Sequence, residues 1–252
     1  MKKYALIIVV LLCVACERET IRSLQPEPAA PVTDIDGNVY ATVKIGSQIW
    51  MTENLRVRHY ADGTAIAVAP DSCITTAYPD SYEVGGQLFE RADYHPEACG
   101  LYYNWAAATR AANGSSALST PPTKTQGVCP EGWRLPSRKD WHILWNNLGG
   151  MAVAGGRLKT QTDWQQPNVG ATNESALQVL PAAQYILSQE MIDKGVVDGF
   201  DPYGFYALFW AADAGNAWMA YTVYIGYQQA AVEELTTAKT AGICVRCMMD
   251  VE

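Results

Sequence analysis

Trp164, Gln166, Asn168, Asn173 and Glu174 fall within eleven residues around Pro167. By type they offer an indole, three amides and a carboxylate, which are oxygen donors of the kind calcium takes and a ring of the kind that covers the apolar face of a sugar. The same polar side chains have a second use, bonding the backbone amides of their own loop, and one carboxylate is few for calcium. Other chemistry is sparse. His59, His95 and His142 are the three histidines; none stands in an H-E-x-x-H spacing, and no G-x-S-x-G occurs. The chain is therefore read as a non-enzyme, with calcium at the Trp164 to Glu174 loop as the one cofactor to test.

Seven cysteines carry the remaining reactive groups. Behind Lys2 and Lys3, the apolar run from Ala5 to Val14 is too short to span a bilayer and is shaped like a secretory signal, ending in Cys13-Val14-Ala15-Cys16. That ending resembles a bacterial lipoprotein signal, which implies cleavage before Cys16 and lipidation of its thiol. An ordinary cleaved signal with a free Cys16 is the alternative. Residues 17–33 contain Pro26, Pro28 and Pro31 and read as an extended tether. Glu17 and Glu19 resemble the acidic export tag of surface lipoproteins in Bacteroidetes-type bacteria. The expectation is thus an outer-membrane lipoprotein on the cell surface, with a signal over 1–15, lipidated Cys and tether over 16–33, and one folded domain over 34–252. No later stretch is long and apolar enough to be a transmembrane helix, and a formal charge of −8 argues against nucleic acid as partner.

The elements that must position these groups are unevenly legible. A composition 49% hydrophobic and 17% charged is that of a folded chain. Cys129 to Gly150 is the clearest stretch: Ser137 and Asp140 form a capping box after Pro136, a helix begins at Arg138, and Gly149-Gly150 ends it. Trp141, Leu144, Trp145 and Leu148 recur at helical spacing and must be covered; Trp133, Trp141 and Trp145 are expected in the core. Asp34 to Asn38 reads as a turn rather than a calcium loop. It leads into a strand over 39–45, a Gly46-Ser47 hairpin turn and a returning strand over 48–51. Leu101 to Ala112 is helix-prone. Met151 to Gly170, rich in glycine, reads as loop; 176–183 reads as a short strand; 218–227, 230–236 and 243–249 read as strands of a closing antiparallel meander. From 62 to about 100 the periodicity lapses, and this insertion carries Cys73 and Cys99 near its ends. Cys129, just before the helix, and Cys247, on the last strand, are expected to form one disulfide and Cys73 with Cys99 a second, leaving Cys244 over. Cys244 and Cys247, three apart in a strand, face opposite ways and should not bridge each other.

Five motifs carry a resemblance that spans nearly the whole chain. DIDGNVYATVKIGSQIWMTENL, LYYNW, GVCPEGWRLPSRKDW, AGGRL followed by W-x-x-PN-x-GATNE, and VRCMMD stand in the order seen in the Fibrobacter succinogenes major paralogous domain. From Ala182 to Asp213 this chain departs from the usual pattern of that family. The GWRLP block further resembles C-type-lectin-like and formylglycine-generating-enzyme-like folds. That implies an α+β architecture, with two helices packed on small antiparallel sheets and long loops. Gln166-Pro167-Asn168 is similar to the triplet with which C-type lectins bind calcium and sugar. The family lends no activity. Together these features point to an anchored binding or adhesion module for a glycan or a surface protein. The alternatives are a structural component of a surface assembly, or an oxidase in which Cys244 and Cys247 hold copper as thiolates.

Overall fold

The computed structural model describes residues 26–68, 87–89, 99–110, 124–182, 184–185 and 203–251. Among them two sheets flank the helices. The smaller has the order β1 (Glu27–Thr33), β2 (Val39–Ile45), β3 (Gln48–Met51) and β12 (Met248–Asp250), all antiparallel. The larger runs β10 (Val232–Ala238), β9 (Met219–Gly226), β8 (Tyr206–Ala214), β11 (Gly242–Cys244), β6 (Tyr102–Tyr103), β5 (Gln87–Phe89) and β4 (Ala67–Val68), with β7 (Gln184–Tyr185) also paired to β11. Its pairs are antiparallel except β4 with β5 and β8 with β11. The architecture is α+β, with more strand than helix.

The hairpin β2–β3 lies where alternation places it. The main helix, α2 (Arg138–Asn147), carries the full capping box: Ser137 Oγ accepts from Asp140 N–H, and Asp140 accepts from Ser137 N–H. Its stripe is buried throughout, with Trp141, Leu144, Trp145 and Leu148 at 4% exposure or less. Trp50 from β3 and Phe209 from β8 meet Trp141, at ring separations of 4.7 and 5.7 Å, so α2 is sandwiched between the two sheets. Each fully buried leucine of that stripe contributes about 1.5–3 kcal/mol.

Several expectations are corrected. The tether does not reach residue 33: Glu27–Thr33 is the edge strand β1, paired with β2. Pro28 and Pro31 are tolerated there because an edge strand has a side that needs no donors. The first helix, α1 (Trp105–Thr109), starts four residues later than expected, because Tyr102 and Tyr103 pair with β5 and β11 and Asn104 then caps the helix through Ala107 N–H. Of the stretch 176–183, the described residues 176–182 form only an isolated bridge from Val179 to Lys159, since Ala176 and Gln178 both take left-handed backbone angles that no strand accommodates. Finally, the meander is confined to β8, β9 and β10. The following segment passes back between β8 and β6, and 243–249 divides, β11 entering the large sheet and β12 the small one. Of the insertion at 62–100, only 62–68, 87–89 and 99–100 lie within the described residues.

The glycine-rich stretch expected as loop contains a third helix, α3 (Met151–Leu158). Its Gly155 and Gly156 are there for proximity. A Cβ on Gly155 would meet Ala231 O at 2.4 Å, and one on Gly156 would meet Gly170 O at 2.3 Å. The helix therefore lies directly on the backbone of two loops, and those loops form the region of interest.

Candidate functional site

Lys159 follows α3 immediately and is completely buried. Its ammonium donates to three carbonyls from two segments: Val169 at 2.9 Å in the loop, and Gly226 at 3.0 Å and Gln229 at 3.0 Å in the turn that leaves β9. Burial pushes its pKa down to about 8. The Trp164 ring lies 5.4 Å from the same nitrogen. A loop and a turn are thus drawn together by one cation.

Around this point the structure places the sequence-expected ligand residues one by one. Trp164 is 6% exposed, and its indole N–H donates to Val179 O at 3.1 Å and Thr160 Oγ1 at 3.2 Å, so its ring belongs to the core. Asn168 is buried, with a positive φ, and its amide donates to Thr160 O at 3.1 Å and Gln161 O at 3.4 Å. Asn173 Oδ1 accepts from Gln178 N–H at 2.9 Å. Glu174 is exposed and pairs with Arg157 at 3.2 Å. Gln166 is exposed, and the Gln166–Pro167 peptide is cis. These side chains brace the loop. They do not converge on one point: Asn173 and Glu174 are engaged elsewhere, Trp164 faces inward, and Asn168 Oδ1 is the buried acceptor left over. Calcium takes six to eight oxygens, and this donor set does not fit it. Asp34, the other candidate, spends both carboxylate oxygens on the Asp36 and Asn38 amides, the Asn38 side chain and the Tyr40 hydroxyl, which is the turn reading. Among the described residues no group of three or more His, Cys, Asp or Glu side chains is placed to hold a metal.

What the braced loop does present is a face that sequence reasoning missed. Gln165 N–H donates to Gly204 O at 2.9 Å, Val169 N–H to Tyr227 O at 2.9 Å, and Tyr227 N–H to Phe205 O at 3.0 Å, tying the loop, the approach to β8 and the end of β9 into one piece. On it Phe205 and Tyr227 stand edge to face, ring centres 5.5 Å apart. Phe205 is 38% exposed, Val169 37% and Tyr203 41%. The Gln228 amide bonds the Tyr227 hydroxyl at 2.7 Å, and the Gln165 side chain lies against Gly204. The density of aromatics from Phe200 to Trp210 was the available signal; which of them face outward depends on the β8 register against β9, which a single sequence does not give.

The cysteines are also placed. Cys129 and Cys247 form the disulfide, sulfurs 2.03 Å apart, tying the approach to α2 to the segment entering β12. Cys244 is buried on the opposite side of that segment, its S–H directed at Cys99 O at 3.8 Å, and burial pushes its pKa well up. A copper site on two thiolates at Cys244 and Cys247 is therefore not assembled. Cys16 and Cys73, and with Cys73 the expected bridge to Cys99, lie outside the described residues, as does His95. His59 pairs with Asp36 and His142 with Glu234.

The architecture is thus an α+β domain with a stapled main helix and a cation-braced loop. Residues 43–249 match the model of the Fibrobacter succinogenes major domain, and the chain belongs to that family. No curated protein and no solved structure matches the chain. No helix among the described residues is long and apolar enough to cross a membrane.

Proposed function

We propose that this chain is a bacterial lipoprotein, anchored through Cys16 to the outer membrane and exposed at the cell surface, whose folded domain is a binding module for a glycan or protein ligand. The observation that supports it is the Phe205–Tyr227 pair, two rings held partly in solvent on a backbone cross-tied at three points. Leaving such rings in water forgoes burial energy, so an ordered aromatic surface is what a recognition site looks like before its ligand arrives. Helices α2 and α3, packed against antiparallel-rich sheets with long loops, support the description as C-type-lectin-like. Fold kinship by itself does not supply the ligand.

Three measurements test this reading. Cys16→Ser should move the chain from the membrane fraction to the soluble one, and protease added to intact cells should digest the wild-type protein. Membrane retention of the variant overturns the anchor, and full protection in intact cells overturns the surface location. On a glycan array, selective hits favour a lectin, whereas none, with co-purifying envelope proteins, favours an assembly component.

A further inference from the structure

Resting on the binding-module reading, we infer that the face formed by Phe205, Tyr227, Val169, Gln165 and Gln228 takes an uncharged polysaccharide, without a metal ion. Three features of the face select that ligand class. The first is the pairing of ring and amide. The apolar face of a pyranose, rich in C–H bonds, covers an aromatic ring. A carboxamide both donates and accepts, which suits neighbouring hydroxyls that do the same. Phe205 and Tyr227 supply the rings; Gln165 and Gln228 supply the amides, and the Tyr227 hydroxyl is already oriented by Gln228.

The second feature is charge. In a chain of formal charge −8, the five residues of this face carry none. Lys159 beneath them is fully buried, its ammonium turned onto carbonyls, and the Asp163 carboxylate is felt by the neighbouring Tyr203 at the margin. Among these five residues an anionic polymer finds no cation and a basic peptide finds no carboxylate. Protein interfaces concentrate their energy in Trp, Tyr and Arg; this face has Tyr227, with Tyr203 at its margin, and neither Trp nor Arg.

The third feature is rigidity. Polysaccharide sites gain little from each contact and depend on losing little entropy, so preorganisation matters. Here three backbone hydrogen bonds and the Lys159 ammonium fix all the segments that carry the face. Calcium is not needed, because the amides and rings recognise hydroxyls and C–H faces directly, while Asn173 Oδ1 is spent on the Gln178 amide and the Glu174 carboxylate on Arg157.

The test uses the full-length chain carrying Cys16→Ser, run in native gels containing a neutral glucan, a neutral mannan, alginate or no polymer, each with and without EDTA. The expected result is retardation by a neutral polymer, unchanged by EDTA, with apparent affinity reduced about tenfold in Phe205→Ala and in Tyr227→Ala. Tyr227→Phe, which keeps the ring, should retain most of the binding, and thermal midpoints show that each variant is folded. Retardation by alginate alone, loss with EDTA, wild-type affinity in both ring variants, or no retardation by either neutral polymer overturns the assignment. The last outcome separates the two readings. If the same variant captures an envelope protein through Phe205, the binding module stands and the glycan class falls; if it captures none, both fall.

Discussion

Two buried cations, one at the start of α2 and one at the end of α3, are answered in opposite ways. Arg134 forks onto Asp140 at 2.5 and 2.9 Å and reaches Asp250 of β12 at 2.7 Å, so its charge is met by carboxylates. Lys159 is met by three neutral carbonyls. The first arrangement neutralises charge and ties a helix start to the last strand, beside the Cys129–Cys247 bridge. The second leaves a desolvated charge in place and gains the convergence of the Val169 loop with the turn after β9. The α2 region is held by strong bonds between groups that need each other, the loop region by one group that organises its surroundings at some electrostatic cost.

The sharpest break is covalent. Cys129→Ser with Cys247→Ser reopens a loop with a sequence separation of 118, and the entropy model puts the loss at about 4–5 kcal/mol; urea titration should show it as a lower midpoint. If the α2 region holds its stability without the bridge, the comparison fails at its first term.

Next in size is Arg134→Met, which leaves Asp140 buried without its partner and should cost about 3–5 kcal/mol. The pH dependence has a definite sign. Burial pushes Asp140 up, but its bonds to Arg134 and Ser137 outweigh that and hold it below the usual range, and Arg134 likewise lowers Asp250. Groups lowered on folding bind fewer protons than the unfolded chain, so their stabilisation is present above pH of about 4 and is lost as pH falls below that. Arg134→Met should flatten this acid limb of the stability profile.

Lys159→Met is smaller in net stability, since losing three hydrogen bonds and relieving a buried charge offset each other. Its signature is elsewhere. With a folded pKa of about 8 against 10.5, the unfolded chain binds more protons between those values, so wild-type stability should rise across that interval, by about 3 kcal/mol at most. The variant should lose that rise, and the Val169 and Tyr227 amides should exchange faster in it. A rise that survives the substitution would mean another group is responsible.

The least effect is expected of calcium. Asn168→Ala with Glu174→Ala should lower the thermal midpoint by the same few degrees with calcium and with EDTA, because the asparagine amide holds Thr160 O and Gln161 O and the carboxylate holds Arg157. A calcium-dependent difference would restore the metal reading.

The same contrast explains how much could be read from the sequence. The α2 region was legible because its determinants are local: a cap, a box partner three residues on, an apolar stripe at helical spacing, and two cysteines next to recognisable elements. Around Lys159 they are not. Gly155 and Gly156 argue against helix on propensity, yet they stand in α3 because carbonyls of residues 170 and 231 approach too closely for any Cβ. Trp164 in a polar loop looks like a ligand platform, but its partner Val179 O comes from a segment shaped by left-handed residues that no periodicity announces. Strand β1 reads as tether in the sequence because an edge strand with both faces largely in solvent shows little alternation.

That strand sets a distance. Because pairing with β2 claims the chain from Glu27 onward, only ten residues separate Cys16 from the folded body, a span of at most about 35 Å when fully extended. A domain of some two hundred residues is itself about that broad or more. Anchored as proposed, it has a standoff no greater than its own diameter. It samples a shallow layer above the bilayer at high effective concentration, and what it meets must already lie within that layer or be brought down to it.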